Sequence, residues 1–81
     1  MIDNLEKDLI NLIDNLEFDT LLALVSRNIK EFNKYWLIEF WKTYTEILYN
    51  MEEMSKEELE EKLNLMKIFV KNMVAKPNYI G

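Results

Sequence analysis

Six glutamates, Glu52, Glu53, Glu57, Glu58, Glu60 and Glu61, crowd one short stretch, the densest gathering of groups able to move a proton or hold a cation. Glu57 and Glu61 stand one helical turn apart, so their carboxylates share a face, as ligands of a hard ion such as Mg²⁺ must. Nothing else in the chain completes such a centre. There is no histidine and no cysteine, which removes the commonest general base, the usual transition-metal ligand and every thiolate site. Acids at the start of a helix compensate the positive end of its dipole, and the cluster is read that way. No catalytic residue, metal ligand or cofactor is assigned, and the chain is expected not to be an enzyme.

The cations are the second candidate. Beyond Lys62 the sequence holds no acid, and Lys67, Lys71 and Lys76 stand alone there. An antiparallel arrangement brings Arg27, Lys30 and Lys34 to the same end, making a basic patch able to hold a phosphate backbone. A net charge of −5 and a single arginine disfavour nucleic acid as the partner, because such binding draws on clustered Lys and Arg.

The third candidate is aromatic. Tyr35 to Tyr44 contains both tryptophans, Trp36 and Trp41, with Phe40 between them. Large rings with a polar handle serve equally as core and as binding surface.

The elements that position these groups are helices. One glycine and one proline, both in the last five residues, leave too few turn formers for a β protein. With 49% hydrophobic residues, the chain is too apolar for disorder. Residues 1–81 read as a single all-α domain. Ile2, Leu5, Leu9, Leu12 and Leu16 alternate spacings of three and four, the stripe of a packed helix. That helix is expected over about 4–17, with Asp3 and Glu6 as its capping box. Asp19 reads as the cap of a second, expected from about 20 to 53. Ser55 followed three residues later by Glu58 opens a third over about 56–75, ended ahead of Pro77, with a tail over 77–81.

These lengths predict an antiparallel bundle of a short, a long and a medium helix. An unbroken second helix of about 50 Å has room for the first helix along its N-terminal half and the third along its C-terminal half. From Trp36 onward its apolar arc widens to about 140°, adding a second seam of Leu37, Trp41, Tyr44 and Leu48. One neighbour cannot cover both seams, so completion by a homodimer is expected. The alternative is a compact four-helix monomer, with the long helix broken near Asn28 to Asn33, where polar residues dominate.

Function is expected to lie in a surface. The chain reads as a non-enzymatic interaction protein with a protein partner, of the inhibitor, immunity, antitoxin-like or assembly-factor kind. A small nucleic-acid-associated protein using the Lys-rich end is the second reading. The acidic opening Met1-Ile2-Asp3-Asn4 and the lack of an apolar run of about 20 residues predict a cytoplasmic location and no membrane association.

Overall fold

The first helix ends without a glycine. In the computed structural model, which describes residues 2–75 and their side chains from Leu5 onward, α1 spans Ile2–Asp14. The Glu17 amide donates back to the Leu12 carbonyl at 2.9 Å and the Leu16 amide to Ile13 at 3.1 Å. This crossed pair closes a helix when the residue after its end turns left-handed. Leu16 does so, with φ of 57°. The Asn15 side-chain amide donates to the Asn11 carbonyl at 2.9 Å, covering another acceptor of the last turn. The reach to residue 17 expected from apolar spacing is cut short because Leu16 turns outward. α1 already includes Asp3, so the expected start near residue 4 moves to Ile2; the Asp3 side chain, Lys76 and the tail over 77–81 lie outside the described residues.

α2 covers Phe18–Arg27 and begins before Asp19. Glu17 occupies the cap position without a side-chain cap bond, and Asp19 falls inside the first turn, where its charge still favours the dipole.

The unbroken second helix does not form. The chain leaves α2 at Asn28, makes a 3-10 turn over Ile29–Glu31, passes through extended Phe32 and Asn33, and enters α3 over Lys34–Asn50. Three asparagine groups support the break. The Asn28 side chain donates to the Leu24 carbonyl at 2.9 Å, the Asn33 carboxamide oxygen accepts from the Trp36 amide at 3.3 Å, and the Asn33 amide donates to the Met73 carbonyl at 2.9 Å. Extension at Phe32 carries its ring fully into the core. The interrupted path thus buries a large side chain that a straight helix would hold on a narrower stripe.

A second 3-10 turn, Met51–Glu53, leads to α4 over Lys56–Ala75. Its start is a reciprocal capping box: the Glu58 amide donates to Ser55 Oγ at 3.1 Å, while the Ser55 amide donates to Glu58 Oε1 at 3.3 Å. Two orphan amides are satisfied at once.

Among the described residues four α-helices therefore stand where three were expected, an all-helical arrangement that fits the four-helix alternative with its break near Asn28 to Asn33. α4 lies between α1 and α3, and α1 also packs against α2. Leu9 and Ile13 of α1, Leu21 and Val25 of α2, Phe40 and Ile47 of α3, and Met66, Val70 and Met73 of α4 have no exposed surface. Each contributes about 1.5–3 kcal/mol of burial relative to an exposed side chain. Ion pairs at the rim, Lys67 with Asp14 at 2.6 Å and Lys62 with Glu46 at 3.1 Å, tie α4 to α1 and to α3. Being partly exposed, each adds at most about 1 kcal/mol. Among the described residues no helix is long and apolar enough to cross a membrane.

Candidate interaction surface

α3 is apolar nearly all the way round, and the fold uses only part of its circumference. Phe40, Thr43 and Ile47 point into the bundle, and Thr43 satisfies its buried hydroxyl by donating to the Glu39 carbonyl at 3.1 Å. Trp36 meets Phe69 of α4 with ring centres 5.9 Å apart. Leu37 and Tyr44, one helical turn further round, are also buried. The cover of Tyr44 includes α2, whose Phe18 meets the Tyr44 ring edge-on at 6.0 Å. The Tyr44 hydroxyl donates to the Phe18 carbonyl at 3.3 Å. Burial first, and then the Asp19 carboxylate, push the Tyr44 phenol above its ordinary value of 10.

Of the four residues assigned to the second seam, Leu37 and Tyr44 are thus enclosed by the chain itself, Trp41 is half-buried, and Leu48 remains 48% exposed. Trp41 leans on its own helix, edge-on to Tyr44 at 5.3 Å and to Phe40 at 5.4 Å. The break in the long helix is what supplied α2 as cover.

Outside this arc α3 presents a third face that spacing alone did not single out. Tyr35 is 62% exposed, Ile38 57% and Tyr49 83%, and Leu48 borders them. Ile38, Trp41, Lys42 and Thr45 frame a shallow hollow of about 420 Å³ in its middle. A tyrosine buries roughly 200 Å² when covered, so the open apolar area comes to the order of 500 Å², the upper range of patches on monomers. Lys42 is the one charge along this hollow, and its ammonium leans to Glu39 at 3.4 Å. The signal for this face was present in the sequence: Tyr35, Ile38, Thr45 and Tyr49 recur at helical spacing opposite Phe40 and Ile47, as in a helix apolar on every side.

Of the six candidate cations, the five that lie among the described residues fall into two groups, one on the α2–α3 connection and one along α4. Arg27, Lys30 and Lys34 are exposed around the α2–α3 connection, and the bond from Asn33 to Met73 places that connection at the end of α4. Lys67 is turned to Asp14 of α1. Lys67 and Lys71 line one hollow of about 370 Å³ together with Ile10, Asn64 and Ile68. Lys76 lies beyond the described residues.

The acidic stretch is spread along the Met51–Glu53 turn and the opening of α4, with Glu58 engaged in the capping box. Among the described residues no three acids gather as a metal-ion site. Every buried side-chain nitrogen and oxygen among them has a hydrogen-bond partner, so no described group inside the bundle is left waiting for a ligand. No family model, no curated protein and no solved structure matches the chain.

Proposed function

We propose that this protein works without catalysis, as a small helical interaction module whose working surface is the outer face of α3. The observation that carries this reading is the run of exposed Tyr35, Ile38, Leu48 and Tyr49 on a helix whose opposite side is locked into the core. Ordering such rings at the surface has no benefit for the fold, whereas rigid aromatic anchors are what protein interfaces use. Inhibitor, immunity, antitoxin-like and assembly-factor roles all need a surface of this kind and no reacting group.

The basic groups support a nucleic-acid reading less well, since the Lys67 ammonium is already neutralised by Asp14 at 2.6 Å. The test is protein contact at this face. A photo-crosslinking side chain at Thr45 is expected to join the protein to specific partners, and Ile38→Glu to abolish the joining while leaving helicity unchanged. Equal crosslinking in both proteins removes the reading.

A further inference from the structure

We propose that the α1–α2 arm of this protein exchanges between two copies, the connection at residues 28–33 straightening so that α2 and α3 run on as one helix. The inference goes beyond the reading of the outer α3 face, which stays open in either form. Its first support is the composition of the connection. Asn28-Ile29-Lys30-Glu31-Phe32-Asn33 contains neither glycine nor proline, so no residue in it bars a helix. Bonds at its two ends hold the bend: Asn28 donates to the Leu24 carbonyl, while Asn33 accepts from the Trp36 amide and donates to the Met73 carbonyl.

Symmetry is the second support. Leu21, Val25, Ile29, Phe32, Trp36 and Phe40 are spaced four, four, three, four, four, a pattern that reads the same in both directions about a midpoint between Lys30 and Glu31. On a continuous helix at 100° per residue they fall within one arc of about 100°, with Arg27, Lys30, Glu31 and Lys34 on the other side. Two such helices lying antiparallel about a two-fold axis at that midpoint set Leu21 of one copy against Phe40 of the other, Val25 against Trp36, and Ile29 against Phe32. The bent chain already carries this register, since Phe18 at the start of α2 meets Tyr44 of α3, a pair whose midpoint is Glu31. Exchange therefore keeps the register of α2 on α3 and changes which copy supplies each side.

Ile29 is the third. It is 46% exposed in the bent chain, while Leu21, Val25, Phe32 and Phe40 of the same stripe are buried. Straightening places it against Phe32 of the second copy, which gives the exchanged form apolar burial that the monomer lacks. The lost freedom of joining two chains opposes this gain, so the monomer holds at low concentration and the exchanged dimer forms at high concentration.

Refolding of the full chain from denaturant at about 1 μM and at about 1 mM tests it, the species being separated by gel filtration after dilution to one concentration. The dilute sample is expected to give monomer, and the concentrated one a dimer that persists on dilution, since its return requires the arms to unfold. Thr20→Cys and Thr45→Cys, at exposed positions of a chain without native cysteine, carry spin labels, and an excess of unlabelled protein isolates the distance within one chain. The labels are expected at about 20 Å in the monomer, where α2 packs beside α3, and at about 38 Å along a straight helix. Lys34→Pro should cut the dimer by about tenfold or more while the monomer still folds. Asn33 is already extended and Lys34 opens α3, a place that takes proline, whereas the interior of a straight helix does not. A monomer after every refolding overturns the proposal. So does a dimer that keeps the short distance within each chain, and so does one as abundant with Lys34→Pro as without it. If that variant does not fold, the label distance decides alone.

Discussion

The backbone amide of Asn33 donates to the carbonyl of Met73 across 2.9 Å, joining the entry of α3 to the closing turns of α4. The same residue caps α3 with its side chain, which accepts from the Trp36 amide at 3.3 Å. Asn33 thus holds the point at which the long helical run is interrupted. Replacing it by alanine keeps the backbone bond and removes the cap, and should cost about 1 kcal/mol. Asn33→Asp keeps an acceptor and adds a negative charge at the helix start, and should stay within about 0.5 kcal/mol of wild type. Urea denaturation with an unchanged m-value reads both.

Leu16 occupies a left-handed conformation, φ 57°, while 45% exposed. A side chain with a Cβ is disfavoured there by roughly 1–2 kcal/mol, and glycine is not, although glycine gives up more conformational freedom on folding. Leu16→Gly should therefore raise stability by about 0.5–1 kcal/mol, and Leu16→Val, branched at Cβ, should lower it. Midpoints of thermal unfolding that order the three proteins otherwise would show that the turn is not strained.

Tyr44 makes stability fall at high pH. Its phenol is held above its ordinary value in the folded chain by burial and then by Asp19, so the folded state keeps its proton where the unfolded state has lost it. That contribution is complete below pH about 10 and is lost as the pH rises through the folded value. Tyr44→Phe should remove this component of the alkaline slope. At neutral pH it should cost no more than about 1 kcal/mol, since a single neutral hydrogen bond to the Phe18 carbonyl is lost. Guanidinium melts of both proteins between neutrality and pH about 11 give the comparison.

Met66 and its neighbour Leu65 separate core from surface on α4. Met66 has no exposed area, and Leu65 is 37% exposed. Met66→Ala should cost about 2–5 kcal/mol by leaving a cavity in the core. For a domain of this size each kcal/mol lowers the melting temperature by about 4–8 °C. Leu65→Ala should cost a small fraction of that.

Legibility in the sequence followed distance along the chain. The capping box of Ser55 and Glu58 closes over three residues, so the opening of α4 could be read from local spacing. The end of α1 could not be placed as well, because its stop signal is a backbone conformation at Leu16, a residue type that gives no warning of it. The polar stretch from Asn28 to Asn33 marked where the chain was able to bend. Whether it did bend depended on Met73, 40 residues beyond Asn33 and invisible to any local pattern. The candidate surface divided in the same way: Leu37, Trp41, Tyr44 and Leu48 were recognisable as apolar positions in excess of one neighbour, but their cover was a long-range matter.

By itself, then, the sequence determined an all-helical chain, the apolar stripe of each helix, and the exclusion of histidine and thiolate chemistry. Those properties follow from residue type and from periodicity, which act within a few residues. Only the tertiary structure decided that α2 turns back to bring Phe18 over Tyr44, and that Tyr35, Ile38, Leu48 and Tyr49 are the large apolar groups of α3 left at the surface. The reason is that a helix apolar on every side has more buriable surface than neighbours to bury it, and which arc stays open is settled by how the other helices close around it.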